Sequence, residues 1–392
     1  MKVAYVTPRY GDEVLGGAET GARMLAERLV SQVGWEVEAL TTCALDARTW
    51  ADHYPPGEVD LRGVRVRRFS SASGRDPGFE AFSRRVLADP AGASPADGER
   101  WIHLQGPVSP GLIGAVRGSD ADLVVFYPYL YHPTVAGIGE VAGRAVMHPA
   151  AHDEPPIRLP LFRDVFAAAR GLVFQTENER RFAERLFPVA HHRQIVMGLG
   201  SEPEPGEPGE ARAALGLDDR PYLLCLGRVD DGKGTGVLAR FFAAYKERRP
   251  GPLALVLAGP VVHEPARHPD VIVAGPVVEA TKWGALRGAL GLVNPSAYEA
   301  FSLVLVEAWN VGLPVLVNGR CLATREHVSR SGGGLWYEDY PSFEVALDRL
   351  CGSGPLRREL GRRGGDYVES RYRWPAIVER YRRFLETVAT GS

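Results

Sequence analysis

Two cations and two carboxylates carry the chemistry open to this sequence. Arg228 and Lys233 stand in Gly227-Arg-Val-Asp-Asp-Gly-Lys-Gly234, a glycine-flexed loop directly after the apolar run Tyr222–Leu226. A planar guanidinium fork and a compact ammonium in one flexible loop can neutralise a diphosphate. The same two cations can instead pair with Asp230 and Asp231 in a solvated loop. Glu299 and Glu307, with seven residues between them, bracket a helix start in Asn-Pro-Ser-Ala-Tyr-Glu-Ala-Phe-Ser-Leu-Val-Leu-Val-Glu307. Glu299 precedes the helix and Glu307 lies inside it, so they are not one helical pair. Between them the helix N-terminus offers unpaired backbone N–H groups, a place where an anion is favoured.

Four weaker constellations accompany this one. Gly16-Gly17-Ala18-Glu19 follows a first strand, Val3–Thr7, and a loop, Pro8–Leu15. It can bring backbone close to a phosphate, or simply be a tight strand-to-helix turn. It is neither a dinucleotide fingerprint nor a P-loop. Tyr127-Pro-Tyr-Leu-Tyr131 follows another apolar strand and suits a sugar or apolar acceptor, or a packed loop. His148-Pro-Ala-Ala-His152-Asp-Glu154 ends the next strand; the prolines and the lack of a helix argue against a metal, and a hydrogen-bonding histidine fits better. Asp120-Ala-Asp122 matches a metal-binding D-x-D in letters, but it sits before its strand, at the end away from ligands.

Strand-like and helix-like segments alternate to position these residues. In the first half, strands are expected over Val3–Thr7, Trp35–Thr41, Val64–Phe69, Asp122–Phe126, Arg144–Met147, Gly171–Gln175 and Gln194–Met197. Helices are expected from Ala18, near Gly78–Leu87, over Pro110–Gly118, over Leu159–Ala169 and over Asn178–Leu186, with a mobile loop around Asp89–Gly98. The acidic, Pro/Gly-rich run Ser201–Glu210 reads as a linker. Beyond it the alternation restarts, with strands over Tyr222–Leu226, Leu253–Ala258 and Val271–Ala274 and around Val293, Leu316 and Trp336. Helices are expected over Gly236–Arg248, over Ala280–Ala289 and from Phe301 or Ser302 to Gly312. Repeated strand–helix units in both halves predict two doubly wound, mostly parallel sheets.

Bulk properties set the outer limits. A chain of 392 residues calls for two domains. With 45% apolar and 24% charged residues and a net charge of -2, it is globular and has no overall field favouring nucleic acid. No apolar run approaches the roughly 18 residues of a membrane span, and the start does not read as a signal peptide. Four scattered cysteines, Cys43, Cys225, Cys321 and Cys351, point to buried thiols in a reducing cytoplasm rather than to a disulfide framework.

The loop Gly-Arg…Lys-Gly, followed about 70 residues on by Glu-Ala-Phe-Ser-x4-Glu-Ala-x3-Gly-x-Pro-Val, resembles family 4 of the retaining glycosyltransferases. Gly16-Gly17-Ala18-Glu19 and Arg371-Tyr-Arg-Trp374 fit the same pattern, so the resemblance covers almost the whole chain. It implies an α/β protein of the GT-B fold, two doubly wound Rossmann-like domains facing across a cleft. Residues 1–200 would form the acceptor side and 201–374 the donor domain, with a C-terminal helix, 375–392, packing back on the first. It implies a cytoplasmic enzyme moving a hexose, with retention, from a nucleotide diphosphate-sugar to a glycan, natural-product or lipid-linked hydroxyl. No metal or other cofactor is implied, and no pair of flanking carboxylates is placed for double displacement.

The resemblance also assigns roles. Arg228 and Lys233 would grip the diphosphate, Glu299 the sugar hydroxyls and Glu307 the nucleotide ribose. The Ala300-Phe301-Ser302 amides would touch sugar and phosphate, Gly16 and Gly17 would lie against the diphosphate, and Val277, after Gly275-Pro276, would lie beside the base. His148 would stand beside the reaction centre, with His152 as its competitor; Tyr127 and Tyr131 are possible acceptor contacts. The chain departs from the family at Trp309-Asn310-Val311, where small residues are usual. The alternatives are an epimerase or hydrolase of the same fold, which would consume donor without acceptor, and a non-catalytic nucleotide-sugar-binding subunit, in which changing Glu299 would alter affinity only. The Arg-rich run Arg357–Arg383 permits a membrane-surface helix, but its acidic members favour a solvated one.

Overall fold

The computed structural model describes residues 1–14 and 16–391; Leu15, which closes the expected Pro8–Leu15 loop, and Ser392 lie outside the described residues. The chain forms two compact units, one of Met1–Gly198 with Pro375–Ser392 and one of Leu199–Trp374.

The first unit is built on eight strands: β1 (Lys2–Val6), β2 (Glu36–Thr42), β3 (Gly57–Leu61), β4 (Val64–Phe69), β5 (Leu123–Phe126), β6 (Ala145–Met147), β7 (Gly171–Phe174) and β8 (Arg193–Val196). They lie in the order β3-β4-β2-β1-β5-β6-β7-β8. All neighbours are parallel except β3 and β4. Inner strands such as β5, Leu-Val-Val-Phe, are buried along their whole length, as expected when helices cover both faces. Those helices are α1 (Gly17–Arg28), α2 (Phe79–Val86), α3 (Pro95–Gln105), α4 (Pro110–Arg117), α5 (His132–Gly137), α6 (Phe162–Ala168) and α7 (Glu177–Leu186).

The second unit carries six strands, β9 (Tyr222–Leu226), β10 (Ala254–Ala258), β11 (Val271–Gly275), β12 (Gly291–Asn294), β13 (Val315–Asn318) and β14 (Gly334–Tyr337). All are parallel, in the order β11-β10-β9-β12-β13-β14. Its helices are α8 (Pro208–Ala214), α9 (Thr235–Arg248), α10 (Glu279–Gly288), α11 (Leu303–Asn310), α12 (Leu322–Ser331), α13 (Tyr340–Gly352) and α14 (Gly354–Arg371). The last helix, α15 (Trp374–Thr390), returns the chain to the first unit. There Tyr381, fully buried, accepts a hydrogen bond from the Tyr5 hydroxyl at 3.0 Å.

Three local expectations change. The loop expected around Asp89–Gly98 gives way to α3: Ser94 accepts from the Asp97 N–H at 3.1 Å and Pro95 occupies the first turn, an ordinary helix start. Trp101 and Ile102 then bury the helix's apolar face. Strand β3 was not expected; Glu58 and Asp60 make it a charged edge strand, paired on one side only. The helix expected over Leu159–Ala169 starts at Phe162, after Pro160.

Trp309, the bulky departure in α11, is fully buried, and its indole N–H donates to Gly333 O at 2.9 Å. The room comes from missing side chains. A Cβ on Gly364 would lie 2.0 Å from Trp309 Cδ1, and one on Gly333 2.6 Å from its Nε1. All four cysteines are free; Cys43, Cys225 and Cys321 are buried and Cys351 is half-buried.

Candidate active site

Among the parallel strands of each sheet the order reverses once, between β1 and β5 in the first unit and between β9 and β12 in the second. Crevices at the carboxyl ends of strands flanking such a reversal are where open α/β sheets bind ligands. In the second unit the loop after β9 carries Arg228 and Lys233, and the loop after β12 carries Glu299. Residues far apart in sequence are therefore neighbours: Lys233 Nζ lies 2.7 Å from Glu299 Oε1. The turn that delivers Lys233 is tight. Gly234 caps α9 at φ 74°, and a Cβ there would sit 2.8 Å from Pro295 O in the facing loop. Arg228 pairs with Asp230, as the solvated-loop reading expects, and Asp230 Oδ1 also accepts the Lys233 N–H at 2.7 Å. Asp231 lies against His263 instead, at 3.2 Å.

Beside that pair, Ser302 stands at φ 68°, a left-handed conformation costly for a side-chain-bearing residue, as the N-cap of α11. Its Oγ accepts from Asn294 Nδ2 at 2.7 Å, so the last residue of β12 holds the bend. Phe301 is buried edge-on against His327 and Tyr372, with ring centroids at 4.9 and 5.3 Å, while Ala300 is half-buried. The amides at the start of α11 thus sit on an aromatic floor. One turn into the helix, Glu307 is buried and Lys282 Nζ donates to its Oε1 at 2.9 Å. Burial pushes the Glu307 carboxyl up, and Lys282 pulls it back. Val277 is half-buried between β11 and α10.

The first unit gathers the other candidates at its own reversal. Gly16 caps α1, and Gly17 is exposed, with open space where a Cβ would stand. Behind them Arg9 and Glu19 form a buried pair, with Arg9 Nε donating to Glu19 Oε1 at 3.0 Å. Tyr131 is half-buried, edge-on to Trp50 at 5.2 Å. His148 is 0% exposed. Its ring stacks on Tyr127 at 4.8 Å, and its Nε2 lies 2.9 Å from the Tyr381 hydroxyl on α15. Burial drives its pKa down to about 3, so it is a neutral core imidazole. Tyr127, 2% exposed, is equally enclosed, its hydroxyl accepting from Gln175 Nε2 at 2.9 Å. His152 is the partly exposed histidine of the two, with Nδ1 3.2 Å from Glu154 Oε1.

The residue that sequence reasoning missed here is Glu179. Fully enclosed, it accepts the Ala151 N–H at 2.7 Å and the Gln175 N–H at 2.6 Å. It thereby fixes the His148–Glu154 loop, in which Ala150 adopts φ 54°. Its placement three residues after the helix-capping Thr176 was the available signal. Asp120 and Asp122 both engage Lys2, at the opposite end of the sheet from the ligand crevice. Among the described residues no three His, Cys, Asp or Glu side chains converge to hold a metal ion, and no helix is long and apolar enough to cross a membrane.

The model of the glycosyl transferases group 1 family matches residues 220–353, the stretch that contains both halves of the Lys233–Glu299 pair. D-inositol 3-phosphate glycosyltransferase of Frankia alni is 29% identical over 273 residues, 61% of this chain and 65% of that protein, so the match spans just under two thirds of the relative's length. D-inositol 3-phosphate glycosyltransferase 2 of Catenulispora acidiphila is 30% identical over 401 residues, 95% of this chain and 89% of that protein. Among solved structures, Anabaena HepE in complex with UDP and glucose superposes with a TM-score of 0.70 at 14% identity, covering 99% of this chain and 100% of that one. Two parallel-sheet units of the GT-B fold, with the paired Lys233 and Glu299 inside the matched stretch and a relative similar along nearly its whole length, identify the chain as a member of the group 1 glycosyl transferases.

Proposed function

We propose that the chain transfers a sugar from a nucleotide diphosphate-sugar to a hydroxyl acceptor, with retention at the anomeric carbon and without a metal. The observation that carries this reading is the meeting of Lys233, Glu299 and the Ser302-capped helix at the strand-order reversal of the second unit. Breaking a sugar–diphosphate bond puts negative charge on the leaving group. Lys233, Arg228 and the amides of Ala300, Phe301 and Ser302 supply fixed positive electrostatics for that charge. Glu299 accepts hydrogen bonds from the sugar's hydroxyls, Glu307 from the ribose, and Val277 lies against the base. Gly17 leaves room for phosphate, since a Cβ there meets nothing in the chain itself, whereas a Cβ on Gly16 would run into Glu19 and Arg9 behind it.

For the histidine beside the reacting sugar we assign His152 rather than His148, because only His152 keeps an accessible edge. Tyr131 serves the acceptor. The leaving phosphate assists front-face attack by the acceptor hydroxyl and takes its proton. Relatives named for inositol 3-phosphate and a fold neighbour holding UDP and glucose support a small polyol acceptor and a UDP-linked hexose as the first pair to try.

A thermal-shift panel of UDP, GDP and ADP tests the reading. A true donor nucleotide raises the melting temperature by mass action, about 2.7 kcal/mol of stabilisation at a hundred times Kd. No shift with any of them overturns it.

A further inference from the structure

We propose that Lys282 is a positioning residue that gives the nucleoside end of the donor site its selectivity for ribose: it occupies one oxygen of Glu307 and leaves the other to receive a sugar hydroxyl. The proposal rests on the donor reading above. Glu307 stands on α11 and Lys282 on α10, 25 residues earlier in sequence, and the described contact runs from Nζ to Oε1 alone, at 2.9 Å. Lys282 is itself tethered. Its ammonium lies 2.7 Å from Glu279 Oε2 one turn earlier and 5.3 Å from the centre of the Trp283 ring. Both side chains of the pair are largely enclosed, at 18% exposed for Lys282 and 9% for Glu307. The ammonium therefore has little freedom to leave the carboxylate.

The charges around Glu307 make Lys282 decisive. Glu279 on α10 and Glu204 in the segment before α8 both push the carboxyl up, as does burial; Lys282 opposes them by its charge and its hydrogen bond. Lys282 favours the ionised form of Glu307, and a hydroxyl donating to a carboxylate makes a charge-assisted bond, roughly twice as strong as a neutral one. A nucleotide lacking that hydroxyl leaves a buried carboxylate oxygen unpaired, which is how polar sites reject analogues. Without Lys282 the carboxyl is pushed further toward its neutral form and loses its tether, and the selectivity goes with them.

Calorimetric binding of UDP, GDP and ADP, each beside its 2′-deoxy and 3′-deoxy counterparts, tests this at about pH 6 and about pH 8 on the full chain. The intact protein is expected to prefer a ribonucleotide over one deoxy form by about tenfold or more at both pH values. Lys282→Met is expected to lose most of that preference, and more of it at the lower pH than at the higher, while Lys282→Arg keeps it. In a Glu307→Gln background Lys282→Met should change nothing further, which separates the effect from a general loss of folding. Lys282→Met with the intact protein's preference at both pH values overturns the proposal, as does an intact protein that binds ribo and deoxy forms alike. Failure of every nucleoside diphosphate to bind the intact protein overturns the donor reading itself.

Discussion

Lys233 and Glu299 form an ion pair at 2.7 Å across 66 residues of sequence. The two loops that hold them leave neighbouring strands, β9 and β12, at the same edge of the sheet. An ammonium has three donors, and Glu299 uses one of them. The pair thus leaves the ammonium two further donors beside a carboxylate that can itself accept hydrogen bonds.

From this follows the first prediction. Lys233→Ala and Arg228→Ala should each reduce turnover roughly tenfold or more, the usual cost of losing a charge that stabilises a leaving group. Initial rates of sugar transfer, taken beside unfolding curves that show the variants intact, provide the check. Unchanged rates in both variants would sink the assignment of this loop to the diphosphate.

Ser302 offers a test of the helix N-terminus. At φ 68° a β-branched residue costs about 1–3 kcal/mol, so Ser302→Val should destabilise by that amount. Ser302→Gly relieves the backbone while giving up the Asn294 bond, and its stability should stay within about 1 kcal/mol of the parent. Urea denaturation followed by fluorescence distinguishes the two.

Trp309 and Gly364 should be coupled. Trp309→Ala is expected to cost about 3–5 kcal/mol through the cavity it leaves. Gly364→Ala forces a methyl against the indole and should cost about 1–3 kcal/mol. In Trp309→Leu the alanine at 364 should cost clearly less, a non-additivity that a double-mutant cycle in denaturant measures. Strict additivity would refute the packing account.

Acid should weaken both units through buried histidines. Burial holds His148 down to about 3 and His327 to about 4, against about 6.5 when unfolded. Both are depressed bases, so the unfolded chain binds protons that the native state refuses. Their stabilising contribution is complete above pH 6.5 and is lost as pH falls toward 4 and then 3. For His327 a shift of this size corresponds to about 3 kcal/mol over that window. His327→Gln should flatten the fall of the melting temperature between about pH 6.5 and about pH 4; an unaltered slope would contradict it.

The pattern of apolar runs exposed most of the architecture. Val64–Phe69 and Tyr222–Leu226 are strands with the bounds the sequence predicts, because both are short β-rich runs ended by turn residues. Helix α3 escaped notice because its surface is polar and its Pro-Gly-Asp content resembles a loop, although Ser94-Pro95 was a readable start. In the second unit, Glu299, Glu307 and the cation loop stood out through the family resemblance of their motifs, and the contact between Lys233 and Glu299 emerged only with the fold. Lys282 was not, since one lysine on an amphipathic helix looks solvated until its partner on another helix is placed beside it. The preference for His148 over His152 turned on strand position. What encloses His148 is Tyr381, 233 residues away, beyond the reach of any local pattern.

That same tyrosine bears on how the protein is made. Chains grow from the N-terminus at about 5–20 residues per second, and domains generally fold as they emerge. Here Tyr5 on β1 and His148 at the end of β6 find their hydrogen-bond partner on α15, a segment that follows the whole second unit in the chain. Of the two units, the one begun first is therefore completed second. It waits, with those polar groups uncovered, for the whole of Leu199–Trp374 to be synthesised.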